Sequence, residues 1–360
     1  MKKYKVCVYA ICKNEEKFVD RWVQSMQEAD KIFVLDTGST DQTVKKLKKQ
    51  GVIVKKEIIN PWRFDTARNM SLAMVDEDCD ICVCTDLDEV FDPGWRKKIE
   101  QVWNASLTRL KYPYIWNFDE NNRPKTSFYL DKIHSRGDYI WTHPVHEVLT
   151  NIHNNEVVGI CSHILLNHHA DNNKSRSSYL PLLELSVKEE PEDDRNCHYL
   201  GREYMFYGQW NKAIDTLIHH LSLKKAKWKD ERSASMRFIS RCYFAMHRVE
   251  EAKMWLKKAI QEAPYMREGY TELGQLYYRL HRFKLAIKYF EKALAIPRKS
   301  ESYINEAFCW DGSIEDDLSI CYYYTKNYKK ALYYVNQAIQ KKGLDDRLEK
   351  NKKFIEEKTE

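Results

Sequence analysis

Four apolar runs of strand length, at residues 4–12, 31–36, 52–56 and 80–85, are separated by three helical patterns at 15–28, 40–50 and 64–75. Strand and helix alternating at this interval imply βαβ units, because parallel neighbours need a crossover. The first part of the chain is therefore expected to form a largely parallel sheet, covered on both faces, whose strand ends carry the binding loops.

Three of those ends carry polar side chains. The run Asp80-Ile81-Cys82-Val83-Cys84-Thr85 stops abruptly in Asp86-Leu87-Asp88-Glu89. On an extended backbone Asp86 and Asp88 would lie on one side, roughly 6–7 Å apart at about 3.3 Å per residue, where one divalent cation could bridge them. Alone, such a pair is an ordinary solvated acidic turn. The run at 31–36 ends in Asp36-Thr37-Gly38-Ser39-Thr40-Asp41-Gln42, with a glycine for the turn and a Ser-x-x-Gln pattern that reads as a helix cap. Capping accounts for Ser39 and Gln42 but leaves Asp36 unexplained. Arg68 and Asn69 lie about one turn into the helix after Pro61-Trp62-Arg63-Phe64.

Beyond residue 194 the chain is repetitive. With Ala213, Ala252, Ala286 and Ala331 in register, Tyr204, Tyr243, Tyr277 and Tyr322 fall nine residues upstream, and Gly201, Ser240, Gly274 and Ser319 three before those. Small residues at such positions let two helices cross closely, with the tyrosines expected to fill gaps between neighbouring units. The alanine spacings of 39, 34 and 45 imply insertions near 224–230 and 300–310, both candidate binding loops.

Charge divides the same way: residues 1–194 carry 27 Lys and Arg against 31 Asp and Glu, whereas 195–345 carry 27 against 17. A basic second half suits an anionic partner, nucleic acid not excluded. The ten cysteines lie scattered in apolar context, which argues for buried thiols in a reducing, cytoplasmic setting and for no disulfides. No run approaches the 18 apolar residues of a membrane span.

Taken together, Asn14-Glu15-Glu16, Asp36-Thr37-Gly38-Ser39-Thr40-Asp41, Phe64 to Asn69 and Asp86-Leu87-Asp88-Glu89 resemble the family 2 glycosyltransferases over about residues 4–170. The resemblance implies the GT-A fold, an α/β domain with a Rossmann-like, mostly parallel sheet, and transfer of a sugar from a UDP-sugar with a divalent metal, Mn2+ or Mg2+. It implies that Glu15, Asp36 and Arg68 hold the uracil end, that Asp86 lies near ribose and metal, and that Asp88 ligates the metal. In Tyr139-Ile140-Trp141-Thr142-His143-Pro144-Val145-His146-Glu147, Pro144 rules out a helical zinc motif. Glu147 falls where such enzymes place the base that takes the acceptor's proton, with His146 beside it. The run at 160–166 reads as one more strand, after which His168, or else His169, returns to the metal; Ala170 departs from the glycine usual there.

The repeats resemble tetratricopeptide repeats, an all-α solenoid. The expected organisation is a catalytic domain at 1–175, a helical linker at 176–194, about four repeats at 195–345 and a charged, solvated helical tail at 346–360. Residues 125–138 read as a basic loop. The function expected is inverting transfer to a peptide, protein or glycan acceptor that the repeats help present. A non-catalytic repeat scaffold is the alternative. A nucleotidyltransferase ranks below both, because Lys13-Asn14-Glu15-Glu16 stands where a glycine-rich triphosphate loop would be needed.

Overall fold

The computed structural model describes residues 4–118, 122–170, 179–300 and 302–358, which fall into two compact units, Met1–Ser186 and Val187–Glu360. The polar stretch around 171–176, read as a boundary, lies outside the described residues.

In the first unit β1 (Val6–Cys12), β2 (Lys31–Asp36), β3 (Ile53–Lys56) and β4 (Ile81–Cys84) alternate with α1 (Val19–Met26), α2 (Thr43–Lys49) and α3 (Phe64–Leu72). All four strands pair in parallel, in the spatial order β3-β2-β1-β4. Their side chains alternate between faces, as the pleat requires. Val6, Val8 and Ala10 pack with Trp22, Val23 and Met26 of α1, whereas Cys7 and Tyr9 pack with Leu72, Val75 and Trp141. Over β1, β2 and β4 both faces are thus apolar and covered, so these strands read as near-continuous hydrophobic runs, whereas β3 at the sheet edge is largely exposed.

The rest of this unit extends the sheet. After β5 (Glu89–Phe91) and α4 (Trp95–Val102) come β6 (Arg109–Phe118) and β7 (Pro124–Ser135), an antiparallel pair whose second member lies against β4. The stretch read as a basic loop is therefore mostly strand; Phe128 and Leu130 alternate inward and a register shift before Ile133 returns that residue to the core, a pattern that the charges at 125–138 masked. A separate hairpin joins β8 (Tyr139–Thr142) to β9 (Val148–Asn151). The run at 160–166 is not one strand but a gap between β10 (Val158–Ile160) and β11 (Leu166–His168), both alongside β6. From Ile160 to Leu166 the chain advances six positions while β6 advances three, from Lys111 to Tyr114, so the surplus loops out.

The second unit is built of helix pairs: α6 (Asp194–Phe206) with α7 (Trp210–Ser222), α8 (Lys229–Ala245) with α9 (Val249–Glu262), α10 (Arg267–Arg279) with α11 (Phe283–Leu294), and α12 (Ser313–Tyr324) with α13 (Tyr328–Lys342). The helix α5 (Tyr179–Glu189) precedes them. The register alanines are fully buried. A Cβ on Gly274 would lie 2.7 Å from the Phe290 ring, so a side chain there would force α10 and α11 apart. Tyr277 and Tyr322 serve both within and between pairs: Tyr277 stacks on Tyr289 and lies beneath Lys253 Nζ of the preceding pair, and Tyr322 stacks on Tyr334 while its hydroxyl donates to Glu291 of the preceding pair at 2.5 Å. The tail is more than a solvated cap, because α14 (Asp346–Glu356) buries Leu348 and Ile355 in the core shared with α12 and α13. All ten cysteines are buried free thiols, and no helix of the described residues is long and apolar enough to cross a membrane.

Candidate functional site

The polar residues singled out from sequence gather at the carboxyl ends of β1, β2 and β4. The loops after β1 and β2 are tied to each other. The Asn14 amide donates to Ser39 Oγ at 2.8 Å, Thr40 N donates to Asn14 Oδ1 at 2.8 Å, and Glu15 N donates to Thr43 Oγ1 at 2.7 Å. Ser39 therefore joins two loops and does not cap α2, whose N-cap, Gln42, makes no side-chain bond; Thr43 N is taken by Asp41 Oδ1. Asp36 is fully buried and accepts from the Gly38 and Ser39 amides at 3.3 and 3.1 Å, with the Cys12 thiol donating at 3.5 Å. Gly38 sits at φ 112°, a conformation that side chains rarely adopt. Any part Asp36 takes in holding a base passes through the loop that it closes. Glu15, also buried, lies on the facing loop.

Past β4 the backbone does not stay extended. Glu89 N donates to Asp86 O at 3.0 Å, closing a turn that sends the two aspartates to different partners. Asp86 meets Arg68, with Nη2 to Oδ1 at 2.8 Å, and Lys132, with Nζ to Oδ2 at 3.4 Å. Asp88 faces His168, with Nε2 to Oδ2 at 3.6 Å. Glu89 turns inward, accepts from the Asp86 amide at 2.9 Å and lies 3.8 Å from Lys132. Burial pushes the Glu89 carboxyl up, and the like charges of Asp86 and Asp88 add to the rise while Lys132 opposes it.

The resemblance sets Arg68 at the uracil end; its guanidinium here engages two carboxylates, Nη2 with Asp86 and Nε with Glu147 Oε1 at 2.5 Å. Nη1 lies 3.4 Å from Cys84 Sγ, and the group sits 5.2 Å from the Trp141 ring centroid. Arg68 thus links the loop after β4 to the turn between β8 and β9. That turn is held by Phe64 N donating to Pro144 O at 3.0 Å, and its two histidines, His143 and His146, have left-handed backbones at φ 74° and 51°. His146 packs its ring 5.8 Å from Tyr179.

His168 rather than His169 faces Asp88. Its Nδ1–H donates to Trp116 O at 2.9 Å and its ring stacks 4.6 Å from Trp116, which leaves Nε2 turned toward Asp88. A histidine held through one nitrogen by a carbonyl, with the other opposite a carboxylate, is how proteins prepare a metal ligand. The donor set, one oxygen and one nitrogen, fits a divalent cation. Burial alone would lower the His168 pKa, but Asp88 and the Trp116 carbonyl raise it overall.

Lys132 was not singled out by sequence reasoning. It comes from the strand misread as a loop, at a register shift between Leu130 and Ile133 that leaves no period-2 signal around it. Burial alone would lower its pKa, but Glu89 and Asp86 hold it above the ordinary lysine value, so it enters the site as a cation.

Residues 7–108 match the family described as Glycosyl transferase family 2, and residues 265–341 match the family described as Tetratricopeptide repeat. Lys132, Glu147 and His168 lie outside both segments. Among curated proteins none matches. Similar solved structures include MamA (19% identity, covering 46% of this chain and 87% of that one, TM-score 0.37). They also include a thermophilic TPR protein from Thermus thermophilus (20%, 50% and 89%, 0.37), and the C-terminal part of a TPR repeat-containing protein from Cytophaga hutchinsonii (16%, 51% and 66%, 0.41). The chain joins a family 2 glycosyl transferase segment to tetratricopeptide repeats.

Proposed function

We propose that the first unit transfers a sugar from a UDP-sugar to a peptide, protein or glycan acceptor, with a divalent metal, Mn2+ or Mg2+, and inversion at the anomeric carbon. The observation that carries the reading is the Asp88 and His168 pair, held by Trp116 at the same sheet edge as Asp86, Arg68 and Glu147. Asp88 and His168 would hold the metal, and Asp86 would face the ribose. A bound cation supplies positive charge to a departing diphosphate. Glu15 and the loop closed by Asp36 form the wall for the uracil.

Glu147 is the base in this reading. The acceptor's nucleophile attacks the anomeric carbon, the bond from that carbon to the diphosphate oxygen breaks, and the acceptor's proton passes to the Glu147 carboxylate. Arg68 aims that carboxylate through the 2.5 Å ion pair, and the same guanidinium holds Asp86, so the donor side and the base are positioned together. His146 lines the turn. The basic second unit recruits the acceptor, and the buried free thiols agree with a cytoplasmic setting.

The test is UDP release from a panel of UDP-sugars with Mn2+, followed by mass spectrometry, for the full chain and for Asp88→Ala. Release by the parent chain and its loss in Asp88→Ala support the reading. No release from any UDP-sugar, or release that Asp88→Ala retains, would refute it.

A further inference from the structure

The longest insertion between repeats, after α11, does not project into solvent. Its described residues lie across the first helices of three successive pairs. The Tyr303 hydroxyl donates to Glu231 Oε2 of α8 at 3.2 Å, and its ring lies 6.4 Å from Tyr199 of α6 and 5.5 Å from Trp228. Three residues on, Glu306 accepts from Arg241 Nη2 at 2.6 Å and from Arg237 Nη1 at 3.3 Å, while its amide donates to Glu268 Oε1 of α10 at 3.1 Å. These helices form the face on which repeat proteins of this architecture hold extended chains.

The charges on that face depend on the insertion. Arg237 and Arg241 are neutralised by two carboxylates, Glu272 of α10 and Glu306 of the insertion. Burial alone would raise the Glu272 pKa, but the two arginines bring it down to about 2, so Glu272 is ionised and accounts for one of the two positive charges. Take Glu306 away and a buried guanidinium is left with excess charge, which is strongly unfavourable. Arg237 is 1% exposed, and its Nε and Nη2 have no hydrogen-bond partner among the described residues. The face therefore offers more donors than the insertion uses.

We propose that residues 302–310 are a built-in occupant of this face, which must swing out before the face takes an extended peptide bearing an aromatic side chain and, three residues later, a carboxylate. The aromatic ring would replace Tyr303 beside Trp228, and the carboxylate would replace Glu306 between Arg237 and Arg241. The inference does not rest on the transfer reaction, and a chain inactive toward every UDP-sugar would leave it intact. An attached segment competes at an effective concentration on the order of 1 mM, so it weakens a free peptide tenfold or more whenever the segment's own intrinsic Kd is below about 0.1 mM.

A fluorescent peptide copying residues 300–311 is titrated into the full chain and into its Tyr303→Ala/Glu306→Ala variant. The expected result is binding to the variant at least tenfold tighter than to the parent, lost when the peptide's own tyrosine or third-following glutamate is replaced by alanine. Equal affinity for both proteins, binding indifferent to those two peptide positions, or no binding to either would overturn the proposal. Should the double variant fail to fold, hydrogen exchange on the parent decides. Excess peptide should speed exchange of the Glu306 amide at least tenfold, and an unchanged rate would overturn the proposal.

Discussion

Replacing Lys132 by methionine removes the cation that faces both Asp86 and Glu89 but keeps most of the side chain's volume. The pair with Glu89 at 3.8 Å is shielded, with Lys132 19% and Glu89 3% exposed, while Asp86 in the 3.4 Å pair is 34% exposed and contributes less. Removing one partner of such a pair typically costs about 3–5 kcal/mol, because the other charge stays buried without compensation. The chain can limit the loss by protonating Glu89, and this gives the substitution a pH signature. Burial already raises the Glu89 pKa in the folded state, and without Lys132 it rises further. A carboxyl with a raised folded pKa binds more protons folded than unfolded, so stability falls as pH climbs from the unfolded value of about 4.3 through the folded one. Lys132→Met should therefore be much closer to the parent near pH 5 than near pH 8. With two compact units in the chain, global unfolding is not a single transition. Hydrogen exchange at the paired Val83 and Ile133 amides, where β4 meets β7, reads the affected unit directly. A loss below about 1 kcal/mol near pH 8, or the same loss at both pH values, would refute the argument.

Three further outcomes follow from the same geometry. Glu147→Gln keeps the side chain's size but cannot take a proton, so transfer should fall by about 10²–10⁴ while UDP-sugar affinity measured by calorimetry is preserved; a fully active variant would move the base elsewhere. Gly274→Val places a branched side chain where a Cβ alone already lies 2.7 Å from Phe290, and hydrogen exchange at the α10 amides should show a loss of about 1–3 kcal/mol, whereas unchanged exchange would refute the close crossing of α10 and α11. Reversing the exposed Lys224, Lys225, Lys227 and Lys229 should raise the acceptor's KM and flatten its dependence on salt while sparing donor hydrolysis; an acceptor KM indifferent to both would confine acceptor binding to the first unit.

The sequence reading succeeded where one physical period dominated. Uninterrupted apolar runs gave β1, β2 and β4, and alanine, tyrosine and glycine positions gave the helix pairs, because burial on both faces or close helix crossing restricts residue choice sharply. It failed where two requirements overlapped. At 125–138 the strand carries Lys125, Asp131 and Lys132 between its apolar residues and shifts register between Leu130 and Ile133, so charge and a bulge hid the alternation. The partners of Arg68 were beyond reach for a different reason: its link to Glu147 spans 79 residues, and no local pattern encodes which carboxylate a guanidinium will meet. The acids after β4 were recognised, but their split between two partners depends on a turn that Asp-Leu-Asp-Glu does not announce.

That split is nevertheless fixed by the sheet. In the antiparallel pairing of β11 with β5, His168 stands opposite Glu89, and in the parallel pairing with β6, Leu166 stands opposite Tyr114. The amide of His169 donates to Asp88 O at 2.8 Å, one step beyond the ladder. Side chains alternate along a strand, so a slip of one residue in β11 would turn His168 to the opposite face and bring Asn167 or His169 toward Asp88. Two devices resist that slip. Leu166 is fully buried in the main core, and Asn167 Nδ2 donates to Asp92 Oδ1 at 2.9 Å on the other side of the strand. The His168 nitrogen that faces Asp88 is therefore set by a three-residue strand anchored on both its faces, and the looped-out surplus at 161–165 is what lets the chain reach that register from β10.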